Sequence, residues 1–176
     1  MSDPADLPPF VVRPARTPDV PMIARIVAGF ADNRILLHKE TVNYYENVQE
    51  FRVAVDGNDQ VIGCGALHVM WDDLAEVRTV AVDPAYRGRK VGHRIVAELL
   101  ATARELGVPR VFCLTFETGF FGSFGFVEID GAPVPQRVYE ELLRSYDEGV
   151  AEFLGLERVK PNTLGNTRML LVLEDR

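Results

Sequence analysis

The chain of 176 residues has little of what marks membrane, secreted and metal-binding proteins. No apolar run approaches the roughly 20 residues that a membrane-spanning helix needs, and the N-terminal segment lacks the basic and then apolar pattern of a secretion signal. The two cysteines, Cys64 and Cys113, lie in apolar, strand-like segments; their number permits a disulfide, but we expect reduced core thiols in a cytoplasmic protein. The histidines, at positions 38, 68 and 93, lack the spacing of metal ligands, so no metal site is predicted.

The charge balance is acidic, with 19 lysines and arginines against 26 aspartates and glutamates and a formal net charge of −7. Nucleic acids and anionic membranes would be repelled by such a chain, so neither is expected as a partner. Apolar residues make up 47% of the sequence, which suits a folded domain with one substantial core. We therefore expect a flexible tail over residues 1–9 and a single domain over residues 10–176.

The hydrophobic pattern alternates between segments with a two-residue period and segments with a helical period. Thr17 is predicted as the N-cap of a first helix, with Pro18 at the first helical position. Gly57-Asn58-Asp59 is a hairpin signal. The predicted strands are 11–15, 51–56, 61–70, 75–82, 110–115, 126–129 and 169–173, and the later helices are about 39–47, 92–106, 119–124 and 135–146.

One segment combines a strand, a cationic loop and the beginning of a helix. The strand ends at Asp83-Pro84, the loop Arg87-Gly-Arg-Lys-Val-Gly92 follows, and an amphipathic helix begins at its end. Backbone N–H groups and the helix dipole favour an anion at such a place, and glycine allows a close approach, so a pyrophosphate site is predicted. It is not a Walker loop, since Gly-Lys-Ser/Thr is absent, nor a dinucleotide fingerprint, since Gly-x-Gly-x-x-Gly is absent.

The loop resembles motif A of the GCN5-related N-acetyltransferases, which reads Gln/Arg-x-x-Gly-x-Gly/Ala after a Val-x-Val strand. The family uses this motif to bind the pyrophosphate of acetyl-coenzyme A, so the resemblance implies acetyl-CoA as the co-substrate. Lys90 stands where the family usually has glycine; because lysine resists a positive φ, the turn is expected to be reshaped. The resemblance implies that the co-substrate is bound by Val80, Ala81, Val82, Arg87, Gly88, Arg89, Lys90, Val91 and Gly92.

The order of the predicted elements is similar to that of the same family over residues 10–173. It implies an α/β (α+β) fold: a mixed, mostly antiparallel, twisted sheet that is splayed at strands 4 and 5 and flanked by helices. Gly125-Phe126 resembles the end of the last conserved family motif. Four residues before this glycine many members have a tyrosine that protonates the leaving thiolate; this chain has Phe121, which we assign to the wall of the co-substrate groove.

Several segments resemble the short N-acetylglutamate synthases, which lack an amino-acid-kinase domain. The segments are Ile35–Lys39, Gly63–Leu67, Glu76–Val82, Arg110–Thr115, Phe120–Phe126 and Val159–Met169. Synthases of this group also tend to have phenylalanine at the position of Phe121. The resemblance implies direct transfer of the acetyl group, in a ternary complex, to the α-amine of glutamate or glutamine at the entry to arginine biosynthesis.

An amino-acid acceptor brings a carboxylate, so its site should contain fixed cations. The acceptor-site candidates are Lys39, Arg78, Leu114, Lys160, Asn162 and Arg168. Each cation also has an alternative interpretation without a role in binding. Lys39 would begin an exposed helix, and Arg78 would be the ion-pair partner of Glu76. Lys160 and Arg168 would be the ends of an exposed loop.

The incoming α-amine is mostly protonated and must lose a proton before it attacks the thioester. Glu76 is the candidate general base, acting directly or through water, and the alternative is a surface or salt-bridged glutamate. The backbone N–H groups of Val80 and Val82 are expected to bind the acetyl carbonyl and the pantetheine arm. Cys113 is the obvious nucleophile to consider, but its apolar strand favours core packing.

Two other functions stay open. One is an acetyltransferase of the same fold that acts on a protein N-terminus, a polyamine or a drug, and the other is a non-catalytic acyl-CoA-binding sensor. An acidic acceptor cleft would favour polyamines, and tight co-substrate binding without turnover would favour the sensor. A homodimer is plausible from the fold alone, whereas the choice between glutamate and glutamine, and any inhibition by arginine, are left open.

Overall fold

The structure is a computed structural model that describes residues 9–31, 39–155 and 165–174. The described residues belong to two compact units. The first unit comes from Met1–Leu67 and Val77–Thr102, and the second from His68–Glu76 and Ala103–Arg176. Residues 1–8 of the predicted tail lie outside the described residues, and the single domain from residue 10 stays a prediction.

In these ranges the chain forms seven strands and six α-helices, apart from short 3₁₀ turns. The strands are β1 (Val11–Pro14), β2 (Phe51–Val55), β3 (Val61–Trp71), β4 (Leu74–Val82), β5 (Arg110–Thr115), β6 (Val127–Glu128) and β7 (Thr167–Val172). The helices are α1 (Val20–Ala31), α2 (Thr41–Glu46), α3 (Val91–Glu105), α4 (Thr118–Gly122), α5 (Gln136–Leu142) and α6 (Glu148–Leu154).

The first unit contains the antiparallel ladders β1–β2 and β2–β3, with Val11 opposite Val55 and Phe51 opposite Ala66. One core cluster joins α1 and α2 to these strands and includes Ile23, Val27, Tyr44, Val53 and Cys64, all nearly inaccessible to solvent. On the other side α3 comes very close to the strands: a Cβ at Gly65 would lie 2.8 Å from Cγ2 of Ile95. A side chain at that position would separate α3 from the sheet.

The second unit is built on the antiparallel β5–β7 ladder, which pairs Arg110 with Val172 and Thr115 with Thr167. β6 pairs antiparallel with β7, and the beginning of β4 pairs parallel with β5 through Leu74–Glu76. The buried residues Met70, Leu74, Phe112, Val138, Leu142, Val150 and Leu154 form its core.

The strand order is β1-β2-β3-β4-β5-β7-β6. β4–β5 is the parallel pair, and its ladder covers three residues of each strand. The predicted mixed, mostly antiparallel sheet with flanking helices is therefore confirmed, as is the order of the elements that precede α6.

Two local predictions are wrong, and one helix was not predicted. Thr17 is not the cap of the first helix: Arg16 caps a 3₁₀ turn over Thr17–Asp19, because the Asp19 carboxylate accepts a hydrogen bond from the Arg16 N–H at 2.7 Å. The helix predicted over residues 135–146 ends at Leu142. A separate helix, α6, follows because Asp147 accepts a hydrogen bond from the Val150 N–H at 3.0 Å and caps a new first turn.

Candidate active site

The end of β4 is fixed to its neighbours before the cationic loop begins. The Asp83 N–H donates to the Ile62 carbonyl at 2.9 Å, and the Asp83 carboxylate accepts from the Ala85 N–H at 2.9 Å. These bonds start a 3₁₀ turn over Pro84–Tyr86, in which proline supplies the fixed φ that the turn needs. The turn leads directly into residues Arg87–Gly92, which we call the anion loop.

The anion loop contains two residues in the left-handed region, Gly88 with φ +79° and Lys90 with φ +59°. Glycine adopts this conformation freely, whereas a residue with a Cβ is destabilised by about 1–2 kcal/mol. Lys90 nevertheless takes a positive φ, so the expected reshaping of the turn does not occur at this dihedral angle. Its carbonyl accepts from the Arg94 N–H at 3.0 Å, which begins α3.

The first turn of α3 has the features that favour a bound anion beside the loop. The N–H groups at a helix N-terminus have no partners within the helix and carry the positive end of its dipole. Val91 is buried and holds this end in the core, while Gly88 and Lys90 are exposed. Together with the cations at 87 and 89, this geometry suits a pyrophosphate.

Two residues that the sequence analysis missed support the loop. The Tyr86 hydroxyl donates to the Asp56 carboxylate at 3.2 Å, and Arg89 lies over the Tyr86 ring, with its Cζ 5.6 Å from the centroid. Burial and this hydrogen bond both raise the pKa of Tyr86. Burial raises the pKa of Asp56, but bonds from the Gln60 and Asn58 N–H groups and from Tyr86 outweigh it, and the net shift is downward. No local sequence pattern indicates a contact across 30 residues.

A cavity of about 260 Å³ adjoins the beginning of the loop. Its apolar wall is formed by α1, and its cations are Arg25 and Arg87. It is lined by Met22, Arg25, Ile26, Gly29, Phe30, Asp83, Pro84 and Arg87. Arg25 was not among the predicted residues, because one arginine in an amphipathic helix carries no signal of a site.

The last residues of β4 differ in exposure, with Ala81 buried and Val80 and Val82 half-buried. Thr79, just before them, has φ +57° and is buried, so the strand is not regular at this point. The role of the Val80 and Val82 N–H groups stays a prediction.

Arg78 is buried, and its guanidinium donates to the Glu50 carboxylate at 3.1 Å. The sequence analysis did not identify Glu50, which lies 28 positions away. Lys39 is half-buried and lies two residues before α2, so it is not part of that helix. The first unit thus holds two of the predicted acceptor-site cations in partly desolvated positions.

In the second unit, Glu76 is a buried carboxylate at the end of the β4–β5 ladder, opposite Phe112. The β5–β7 ladder brings two predicted acceptor residues together, because Leu114 is the register partner of Arg168. Arg168 also lines a polar groove, with Glu128, Ile129, Asp130, Gly131, Asn166 and Thr167. Lys160 and Asn162 lie outside the described residues.

Phe121 is buried in α4 and packs edge-on against Phe120 and Phe126, with ring centroids 5.1 and 5.4 Å apart. The two cysteines are free and buried. Burial raises the pKa of Cys64 to about 12, and burial together with the charge of Glu76 also raises the pKa of Cys113. A thiol that resists ionisation is a poor nucleophile, which favours core packing for Cys113.

The described ranges contain no cluster of three or more His, Cys, Asp or Glu side chains placed to hold a metal ion. None of the helices in the same ranges has the length and apolar character that crossing a membrane requires.

Comparison with known proteins places these features in context. Residues 26–126 match the model of the Acetyltransferase (GNAT) family. The chain is 60% identical over 165 residues to the amino-acid acetyltransferase of Mycobacterium tuberculosis, an alignment that covers 93% of this chain and 94% of the relative.

Two solved structures are similar to this one. The crystal structure of Rv2747 from Mycobacterium tuberculosis in complex with CoA and NLQ matches with a TM-score of 0.90 and 59% identity, over 93% of this chain and 99% of that chain. The N-acetylglutamate synthase of Neisseria gonorrhoeae, complexed with coenzyme A and N-acetyl-glutamate, matches in fold with a TM-score of 0.74 at 22% identity. That match covers 94% of this chain but 35% of the longer synthase.

Proposed function

Since this chain belongs to the GNAT family of acetyltransferases, we propose that it transfers the acetyl group of acetyl-CoA to the α-amine of glutamate or glutamine. The observation that supports this acceptor most strongly is the 60% identity, over nearly the whole chain, to an amino-acid acetyltransferase. The relative in the solved structure was crystallised with CoA, which agrees with acetyl-CoA as the co-substrate. The proposed reaction makes a secondary amide and releases free CoA.

In the proposed reaction the anion loop binds the pyrophosphate through its backbone N–H groups, and Arg87, Arg89 and Lys90 add positive charge. The N–H groups of Val80 and Val82 hold the acetyl carbonyl and the pantetheine arm. Such bonds strengthen as negative charge develops on the carbonyl oxygen during attack. Binding and orientation of the thioester are thus assigned mostly to the backbone.

The acceptor must be held by its charges and must lose a proton. We assign Arg78, Lys39 and Arg168 to carboxylate recognition, because a fixed cation pairs well with a carboxylate. Glu76 accepts the proton of the α-ammonium, directly or through water. The nitrogen lone pair then attacks the carbonyl carbon, the carbon–sulfur bond breaks, the nitrogen loses a second proton, and the thiolate takes up a proton. Phe121 has no hydroxyl and therefore cannot supply that proton.

The deciding experiment measures CoA release from acetyl-CoA with a panel of amino acids and polyamines, at near-neutral and mildly alkaline pH. We expect turnover with glutamate or glutamine and none with polyamines, since cations in the acceptor site would repel them. Turnover with polyamines or peptides alone would contradict the proposed acceptor. Tight CoA binding without turnover on any amine would instead indicate the sensor module.

The proposal extends to the biological setting. N-Acetylation of glutamate would place the protein at the entry to arginine biosynthesis. Two free cysteines suit the reducing cytoplasm, where we place the enzyme. A homodimer remains part of the proposal, to be tested by the mass of the protein in solution.

A further inference from the structure

The β2–β3 hairpin loop makes a direct contact with the turn that precedes the anion loop. Tyr86 is the connecting residue: its hydroxyl donates to Oδ2 of Asp56 at 3.2 Å, and its ring lies beneath the Arg89 guanidinium at 5.6 Å. All three residues belong to the first unit. A carboxylate in the hairpin thus acts on an arginine of the anion loop through one aromatic ring.

The hairpin holds Asp56 rigidly. Its Oδ1 accepts from the N–H groups of Asn58 and Gln60 at 2.9 and 3.0 Å, and its backbone N–H donates to the Gln60 carbonyl at 3.0 Å. Because these bonds fix both the backbone and one carboxylate oxygen, the other oxygen points at Tyr86 in one direction. A second contact holds the β2–β3 hairpin loop, since the Arg13 guanidinium donates to the Asp59 carboxylate at 3.2 Å.

The carboxylate also changes the ring that Arg89 contacts. A phenol that donates to an anion gains electron density in its ring, and a guanidinium is attracted to the negative face of that ring. An unrestrained arginine side chain has many rotamers. Restricting Arg89 to one of them before the ligand arrives lowers the entropy cost of binding a phosphate. Arg89 is half-buried against this ring, whereas its neighbours Gly88 and Lys90 are exposed.

We propose that Asp56 and Tyr86 are positioning residues for co-substrate binding, which hold Arg89 toward the pyrophosphate. The assignment rests on the proposed use of acetyl-CoA by the anion loop. It does not depend on which amine accepts the acetyl group. Neither residue touches the reacting atoms, so both affect the binding of CoA and leave the chemical step unchanged.

The test measures CoA binding by calorimetry for Tyr86→Phe, Tyr86→Leu and Asp56→Asn. Tyr86→Phe keeps the ring and loses the hydrogen bond, so we expect the Kd to rise about threefold; Tyr86→Leu loses both and should raise it about tenfold. Asp56→Asn keeps an oxygen for the hairpin N–H groups and should resemble Tyr86→Phe. Tyr146→Leu is the matched control, because Tyr146 is 97% exposed and lies far along the chain in the second unit.

A double-mutant cycle with Arg89→Gln separates positioning from a general loss of structure. In the Arg89→Gln background Tyr86→Leu should change the Kd less than twofold, because the residue that it positions is gone. An equal effect with and without Arg89, or a wild-type Kd for Tyr86→Leu in a protein of unchanged Tm, would overturn the assignment. In steady-state kinetics the KM for acetyl-CoA should rise while the KM for the acceptor and kcat do not.

Failure of this assignment is distinguishable from failure of the proposed function. CoA binding is measured without an acceptor, so an error about glutamate or glutamine leaves the result intact. If wild-type protein binds no CoA, the proposed function itself is wrong.

Discussion

The anion loop and the acceptor-site candidates are organised in opposite ways. The loop consists of six consecutive residues whose conformation is set by local features: two positive φ values and a helix that begins at Val91. The acceptor candidates that the structure describes come from separate elements, with Lys39 before α2, Arg78 in β4, Leu114 in β5 and Arg168 in β7. The loop is thus a single stretch of sequence, whereas the acceptor-site candidates are far apart in the sequence.

The two regions also differ in the protein atoms that we expect to contact the ligand. A pyrophosphate is held largely by backbone N–H groups, which any residue supplies once the turn is correct. An amino acid is recognised by charged side chains, and each must be held by others; Arg78, for example, is buried against Glu50. Substitutions in the two regions should therefore affect different kinetic constants.

The largest effect is expected at the candidate base. Glu76→Gln removes the proton acceptor, and kcat should fall about 100-fold while the KM for acetyl-CoA is unchanged. The measurement is a steady-state assay across pH, with Tm as the check on folding, because Glu76 is buried. Glu105→Gln, at the exposed end of α3, is the control. A raised KM for acetyl-CoA with normal kcat would remove Glu76 from the chemistry.

The next largest effect is expected in the acceptor region. Arg78→Gln should raise the KM for the amino acid about 30-fold, since a charged hydrogen bond contributes roughly 1.5–3 kcal/mol, and leave the KM for acetyl-CoA unchanged. Glu50→Gln is the companion variant. It keeps the arginine but weakens the ion pair that holds it, and it should raise the KM for the amino acid about fivefold. If Arg78→Gln lowers only the Tm, the arginine is structural.

A smaller effect is expected in the anion loop. Gly88 has φ +79° and open space around its Cα, so Gly88→Ala adds strain without a clash. A strain of about 1–2 kcal/mol favours loop conformations other than the one that binds the pyrophosphate, so the KM for acetyl-CoA should rise about tenfold. Gly119→Ala is the control, because Gly119 has equal space and no positive φ. An effect on the KM for the acceptor instead would contradict the expectation that the two regions affect different kinetic constants.

The smallest effect is expected at Lys90. Lys90→Gly relieves the strain of the left-handed conformation but increases the conformational entropy of the unfolded chain. The net gain in the free energy of unfolding should be up to about 1 kcal/mol. Loss of one positive charge should raise the KM for acetyl-CoA about threefold. Thermal unfolding and steady-state kinetics measure the two results separately. A lower Tm would show that the lysine contributes more than its φ costs.

The position of the anion loop could be predicted from the sequence because it depends on local patterns, whereas the class of sheet was implied by the resemblance to the acetyltransferase family. The period of Val80 and Val82, the break at Asp83-Pro84 and the amphipathic stretch that begins at Val91 are each readable within a few residues. By contrast, Thr79 reads as an ordinary strand residue, since threonine favours strands, yet it has a positive φ. The start of α6 was missed because the helical pattern before it seemed continuous.

What the sequence determined by itself is the order of the elements before α6 and the position of one cationic loop at the beginning of a helix, because hydrogen bonds and dihedral angles of neighbouring residues decide them. The tertiary structure decided the partners: Glu50 for Arg78, Asp56 for Tyr86, and Arg168 beside Leu114 in the β5–β7 ladder. Each pair joins residues at least 28 positions apart, and their contact follows from strand register and burial, which arise only when the chain packs.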